Sequence, residues 1–260
     1  MTPLVSIITP TYGREAFLTH ARRWVESQTH PRIEWLVLDD SPQPSTVLAS
    51  PSDPRIRYWH VAERLTIGEK RNRLVTAAAG EYIAHFDDDD YYAPNYLETM
   101  LGHMSRSGAH FVNLCSWYLF DLRHDFFGYW ALRQTTGLHY LCYGDGLRLG
   151  VFTPENNAAL ASNYLGYGFS YVYRREIWEA QPFGHLDRGE DAVFVDMARR
   201  RFRLSHIEDR SGLALHILHP GSSSSCFPQH HLPTFLLPVL FPEAGRFLEA
   251  QQSPLGQIRG

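Results

Sequence analysis

Four consecutive aspartates, Asp87-Asp88-Asp89-Asp90, follow the apolar run Tyr82–Phe86. Adjacent carboxylates repel one another, and the end of a strand gives them little room to separate. A divalent cation relieves that repulsion, and a set of oxygen ligands favours Mg2+ or Mn2+ over Zn2+. A solvated acidic loop or a helix cap carries the same letters. The placement between an apolar strand and a proline-started helix favours the cation. A second acidic pair, Asp39-Asp40, follows the short apolar run Trp35–Leu38. A carboxylate there can make a turn or cap a helix, or it can accept a hydrogen bond from a base N–H or a ribose hydroxyl.

Three further groups carry chemistry. Arg71-Asn72 falls on the polar side of a helical segment, opposite Leu74, Val75 and Ala78. An arginine there is solvated unless a nucleotide is near, in which case it stacks on the base or pairs with phosphate. Gly189-Glu190-Asp191 opens a segment with Phe194, Val195 and Ala198 at helical spacing. Asp191 shares their face and is expected to point inward, where the helix N-terminus favours its ionised form and suits it to act as a general base. His216 and His219 bracket the end of a late apolar run. Each is a packed core histidine or, alternatively, a metal or diphosphate contact.

The elements that must position these residues are readable as alternating strand and helix signals. Leu4–Thr9, Trp35–Leu38, Arg55–Val61 and Tyr82–Phe86 read as strands. Arg14–Gln28, with Phe17, Ala21, Trp24 and Val25 spaced by three and four, reads as an amphipathic helix. Glu69–Ala79 reads as a helix closed by Gly80, and Pro94 is expected to open the next one, striped by Leu97, Met100, Leu101 and Met104. This order predicts an α/β fold, a mainly parallel sheet flanked by helices, with both acidic clusters at the carboxyl edge where such sheets bind ligands. From Gly108 to Gly150 the aromatic residues are too dense for a period to show. Tyr171–Arg174 and Leu213–Leu218 read as later strands and Glu190–Arg201 as a helix. Trp117, Tyr118, Trp130 and Tyr167 are expected in the core, with stacking on acceptor sugars as the alternative. The segment after residue 222 is rich in proline (Pro228, Pro233, Pro238, Pro242) and reads as an extension that packs on the domain or mediates association. Pro238 interrupts any long helix there.

The chain has 260 residues, 24 Lys+Arg against 28 Asp+Glu, and 44% apolar residues. That is enough to bury a substantial core. The net charge of −4 gives no general attraction to nucleic acid or to an anionic membrane. Three cysteines, Cys115, Cys142 and Cys226, cannot all pair within the chain and lack zinc-site spacing, which fits a reducing cytoplasm. No apolar stretch approaches the ~18 residues of a membrane span, and the N-terminus lacks a basic leader. The expectation is a cytoplasmic protein, with contact at the inner membrane face and a homodimer left open.

In this order the residues resemble a family-2 glycosyltransferase of the A-type nucleotide-diphosphosugar fold. The resemblance rests on Val5-Ser-Ile-Ile-Thr-Pro-Thr-Tyr12, Glu34-Trp-Leu-Val-Leu-Asp-Asp-Ser41, Lys70-Arg-Asn72, Gly80-Glu-Tyr-Ile-Ala-His-Phe-Asp-Asp-Asp-Asp90, Gly189-Glu-Asp191 and His219. It is dense across residues 4–105 and continues to about 220. It implies a catalytic domain over 1–222, with a nucleotide-binding half to about 105 and an acceptor half after it, followed by the extension 223–260. It also implies that Thr9, Pro10 and Tyr12 line the nucleotide pocket. Asp40 would read the base beside Asp39, and Arg71 would help hold the nucleotide. Asp87-Asp88-Asp89 is similar to the family's DxD element, in which Asp89 binds Mn2+ or Mg2+ and Asp88 contacts ribose or metal. Asp191 matches the base of inverting members, with Glu190 in support, and His219 resembles a late histidine that contacts metal or diphosphate.

The implied reaction moves a sugar from a nucleotide-diphosphosugar, with UDP the expected nucleotide, to a hydroxyl of a glycan, lipid-linked or other acceptor, with inversion. Two alternatives stand beside it. A sugar-phosphate nucleotidyltransferase would need a Gly-rich basic loop after the first strand, where this chain has Pro10-Thr-Tyr-Gly-Arg14. A degenerate member of the fold would bind nucleotide-sugar or glycan without turnover.

Overall fold

Val5-Ser-Ile-Ile-Thr is β-branched at four of five positions, a composition that packs well on a pleated surface. In the computed structural model this run forms β1 (Val5–Thr11), with Val5, Ile7 and Ile8 fully buried. The structure describes residues 2–49, 53–158, 160, 163–165, 167–222, 224–245 and 248. The elements continue as α1 (Glu15–Glu26), β2 (Ile33–Asp39), β3 (Ile56–His60), α2 (Ile67–Ala77), β4 (Tyr82–His85), β5 (Tyr91–Tyr92) and α3 (Tyr96–Ser107). Next come β6 (Phe111–Asp121), β7 (Phe126–Ala131), β8 (Gly137–Tyr143), β9 (Gly146–Phe152) and β10 (Val172–Arg174). The chain then forms α4 (Glu176–Ala180), α5 (Glu190–Ala198), β11 (Leu204–Glu208), β12 (Ala214–Leu218), β13 (His230–Leu232) and α6 (Leu237–Leu240).

The chain divides into two units, Met1–Leu114 with Leu165–Ile207 and Cys115–Tyr164 with Glu208–Gly260. In the first unit the strand order is β10-β4-β1-β2-β3. β4, β1, β2 and β3 are parallel, and β10 runs antiparallel to β4. Register sets the functional edge. Thr11 lies beside Asp39, and Ile8 beside His85, so β1, β2 and β4 all end on one side. The expected parallel sheet is present, with an antiparallel strand added to it.

α1 buries Leu18, Ala21, Trp24 and Val25, and Phe17 is only partly covered. α2 begins two residues earlier than the apolar spacing predicts. Thr66 and Glu69 form a capping box, in which the Thr66 hydroxyl accepts from Glu69 N–H and the Glu69 carboxylate accepts from Thr66 N–H. Gly80 does not close this helix. The cap is Ala78, and Gly80 is required because a Cβ there would lie 2.6 Å from Ser6 Oγ and 2.8 Å from Ser6 N. Pro94 likewise sits before the cap residue Asn95, and its carbonyl accepts from Thr29 N–H at 2.8 Å.

The second unit is built of antiparallel pairs. β6 pairs β7, β7 pairs β13, and β8 and β9 form a hairpin, while β12 lies parallel to β6. Trp117 and Trp130 are fully buried, so these two aromatic residues are core. Of the proline-rich segment, Leu237 and Phe241 are buried, and Phe241 packs edge-on to Tyr118 at 5.4 Å; residues 249–260 lie outside the described residues. The three cysteines are buried free thiols. Among the described residues no helix is long and apolar enough to cross a membrane.

Candidate active site

At the end of β2 two carboxylates are held tightly. Asp39 accepts from Ser41 N–H at 2.9 Å and from the Tyr58 hydroxyl at 2.7 Å, so it shapes the turn as well as bordering the edge. Asp40 has a fully buried side chain. It accepts from Arg64 Nη1 at 2.7 and 2.6 Å, from Lys70 Nζ at 2.8 Å and from Leu65 N–H at 2.8 Å. Burial works to raise its carboxyl, and the donations of Lys70, Leu65 and Arg64 outweigh burial and hold it below the ordinary carboxylate range. Lys70 also donates to Thr11 O at 3.0 Å, which ties α2 to the end of β1.

The end of β4 is different. Asp88 is nearly buried, and burial followed by the charge of Asp89 pushes its carboxyl well above the usual range. Arg14, at the start of α1, reaches both acids only at ion-pair distance, 3.9 Å to Asp88 and 3.7 Å to Asp89. A buried carboxyl raised by a neighbouring carboxylate is what a hard divalent cation would relieve. The donor set, oxygen only, suits Mg2+ or Mn2+. Among the described residues no three His, Cys, Asp or Glu side chains gather round one point. The fit is therefore to a cation held by one or two carboxylates, with substrate phosphate and water completing its shell.

Arg71 joins this edge to the helix acids. Its guanidinium is buried, pairs with Glu190 and lies 3.7 Å from Asp87. The sequence places Arg71 and Asn72 on a polar helix face, with solvation as one of two readings for the arginine, and that face is not solvated at Arg71. Lys70 and Arg71 are both buried, and the Asn72 amide accepts from Trp178 Nε1 and Phe183 N. The polar side of α2 faces inward because charges on other elements await it. Burial opposes the charge of Arg71, and Glu190, Asp87 and Asp191 overcome that cost and keep it cationic. Glu190 is raised by burial, with Arg71 opposing.

Asp191 lies in the first turn of α5, whose Phe194, Val195 and Ala198 are buried as expected. Its carboxylate accepts from Gly168 N–H and Ala192 N–H, each at 2.8 Å. A Cβ at Gly168 would lie 3.0 Å from both Arg71 Nη1 and Asp191 Oδ2, so a larger residue would have to push these side chains aside. His85 fixes that glycine to the sheet. Its Nδ1 lies 2.9 Å from Gly168 O and its Nε2 3.3 Å from the Tyr173 hydroxyl, so Nδ1 carries the proton. Burial and the neighbouring Arg71 push its basicity well down, which keeps the ring neutral.

Of the other residues expected in the nucleotide pocket, Tyr12 is exposed and Pro10 partly so. Thr9 is fully buried. Its hydroxyl donates to Phe86 O at 2.7 Å and accepts from Trp35 Nε1 at 2.9 Å, which spaces the strand ends instead of presenting a group to a ligand. Every residue brought together here, Tyr12, Asp39, Asp40, Arg71, Asp87, Asp88, Asp89, Glu190 and Asp191, belongs to the first unit. His219 belongs to the second, where its Nδ1 accepts from Gly221 N–H at 3.1 Å. That turn uses the lone pair a metal would take.

Arg14, Arg64, Lys70, His85 and Gly168 are members of the edge that sequence reasoning missed. For Lys70 a signal existed, since it adjoins Arg71 in the quoted motif. The second unit has its own cavity of about 940 Å3, lined by Tyr118, Tyr129, Arg133, Tyr140, His231 and Leu236 among others.

The Escherichia coli (strain K12) protein WcaA, which bears the name of a colanic acid biosynthesis glycosyl transferase, is 33% identical over 112 residues, 42% of this chain and 40% of its own length. The chain spans less than half the length of the first curated relatives it matches. TarS residues 1–349 of S. aureus, solved in complex with UDP-GlcNAc, superposes with a TM-score of 0.61 at 18% identity, over 84% of this chain and 60% of that one. The mannosyltransferase PcManGT of Pyrobaculum calidifontis, in complex with GDP-Man and Mn2+, gives 0.52 at 15% identity, over 84% and 57%. These likenesses establish the A-type glycosyltransferase fold. The model of the family described as Glycosyl transferase family 2 matches residues 6–163, more than half of the chain, and the chain belongs to that family.

Proposed function

We propose that this protein transfers a sugar from a nucleoside-diphosphate sugar, with UDP as the nucleotide, to an acceptor hydroxyl with inversion at the anomeric carbon. The observation that carries the reading is Arg71, one buried guanidinium paired with Glu190 and facing Asp87, which joins the acidic end of β4 to the first turn of α5. On this reading Tyr12 and Asp40 take the base, and Asp87 and Asp88 face the ribose and diphosphate.

On this reading the protein's part in the reaction is positioning and proton transfer. Gly168 N–H and Ala192 N–H orient the Asp191 carboxylate, and each oxygen keeps a further lone pair for an incoming hydroxyl. Asp191 takes the proton of that hydroxyl as its oxygen bonds to the anomeric carbon. The bond from that carbon to the diphosphate oxygen breaks on the opposite face, and the electron pair leaves with the diphosphate. Arg71 pairs with Glu190 beside Asp191 and so fixes the position of the second carboxyl group. A divalent cation held by Asp88 and Asp89 would supply Lewis-acid neutralisation of the leaving diphosphate.

The test is donor turnover with an acceptor library and Mn2+, reading UDP release and the anomeric configuration of the product by NMR. Asp191→Asn is expected to lower turnover by roughly 10²–10⁴-fold, the usual span for a general base, with UDP affinity retained. Retained turnover, or loss of UDP affinity together with folding, would make Asp191 a structural cap.

A further inference from the structure

Asp40 and Tyr12 form the base end of the edge, and another residue of the chain already sits on both. Arg64 lies in the irregular segment between β3 and α2, with half of its side chain exposed. Its Nη1 reaches both oxygens of Asp40, at 2.7 and 2.6 Å, and its Cζ stands 3.8 Å from the centroid of the Tyr12 ring. A planar group stacked on an aromatic face, donating N–H to a carboxylate at its edge, presents what a pyrimidine base with a ring N–H presents. At 3.8 Å the space between guanidinium and ring is a single stacking distance, so no base fits between them.

We propose that Arg64 is the resident occupant of the base subsite and that a nucleotide must displace it from Asp40 and Tyr12 in order to bind. The inference rests on the reading of this edge as a nucleotide site, and adds a residue that sets access to it.

Displacement is cheap at this position. When Arg64 leaves, Asp40 keeps Lys70 Nζ and Leu65 N–H, so its carboxylate does not become a buried, unpaired charge. Leu65 itself is buried and anchors the segment, so the exposed Arg64 side chain can swing while the backbone stays. The vacated position on Asp40 accepts only, which admits uracil through its N3–H and opposes cytosine, whose N3 presents a lone pair. The binding-competent fraction of the free protein is then the fraction with Arg64 away, and apparent affinity is reduced by that fraction.

The experiment titrates wild type, Arg64→Ala and Arg64→Lys with UDP, uridine and inorganic pyrophosphate in the presence of Mn2+, by calorimetry and stopped-flow. Arg64→Ala is expected to bind UDP and uridine about three- to tenfold more tightly, the size expected from one exposed ion pair with a stacking contact. Its association should also be faster, and pyrophosphate affinity should be equal or weaker. Arg64→Lys, which keeps the charge without the plane, should fall between the two. UDP affinity in Arg64→Ala equal to or weaker than wild type would overturn the inference and leave the nucleotide site standing. Absence of UDP binding in all three proteins would overturn the nucleotide site and the inference with it.

Discussion

Two acidic strand ends lie on the same edge of the first unit, and the fold treats them in opposite ways. At the end of β2, Asp40 receives four hydrogen bonds, and its carboxyl is held down against its burial. At the end of β4, Asp88 is also buried but meets Arg14 only at 3.9 Å, and its carboxyl is pushed up. Desolvation acts in the same direction on both, so burial does not separate them. The difference is the supply of donors. The β2 end is a closed ion network around Asp40, whereas at the β4 end the buried Asp88 has the charge of Asp89 beside it and Arg14 at 3.9 Å.

The largest test of this contrast is Lys70→Met. It removes the buried cation from Asp40, which keeps Arg64 and Leu65 N–H, and is expected to destabilise the protein by about 1.5–3 kcal/mol, the usual worth of a hydrogen bond to a charged group, measured by urea unfolding. If the loss were below about 1 kcal/mol, the β2 end would not be the closed network described. Asp88→Asn should act with the opposite sign. Without metal it relieves repulsion with Asp89 and is expected to stabilise by on the order of 1 kcal/mol. Destabilisation there would mean that the β4 end is internally balanced after all.

The two ends also differ in pH dependence. Asp40 is depressed in the folded state, so its stabilisation is fully present above the ordinary carboxylate value of about 3.9 and is lost as pH falls through its lowered folded value. Asp88 is raised, so the folded state holds a proton that the unfolded chain releases. Its contribution is present at low pH and is lost as pH rises from that ordinary value through its raised folded one. Unfolding curves of wild type and Asp88→Asn between acid and neutral pH should therefore diverge as pH rises, with the variant the more stable at neutral pH. The smallest effect belongs to Arg14→Ala, expected to cost less than about 1 kcal/mol because its contacts are long and partly exposed.

Much of this edge was readable in advance because its signals are local. A β-branched or apolar run followed by carboxylates marks a parallel strand ending at a binding edge, and Asp191 could be placed because α5 carries its apolar stripe three, four and seven residues on. What could not be read depends on partners distant in sequence. Asp39-Asp40 and Asp87–Asp90 look alike as letters, and only Lys70, Arg64 and Leu65 meeting Asp40 distinguish them. Arg71 reads as solvated unless a nucleotide is near, because a polar helix face is solvated unless charges on other elements oppose it. Gly80 reads as a helix stop, but its reason is the backbone of β1 against it. Between residues 108 and 150 the core side chains are aromatic on both faces of β6 and β7, which erases the alternation that would have marked antiparallel strands. His219 was expected at a metal or diphosphate, and a turn two residues long occupies its ring nitrogen.

On the proposed reading one nucleotide spans the two acidic ends, with its base at Asp40 and its diphosphate at a cation on Asp88 and Asp89. Calorimetric titration of UDP into wild type and Asp89→Ala, each with and without Mn2+, tests it most directly. Mn2+ is expected to strengthen UDP binding in wild type, and Asp89→Ala is expected to keep only the weaker, Mn2+-independent affinity of wild type. Equal Mn2+ dependence in the two proteins, or no UDP binding in either, would contradict it.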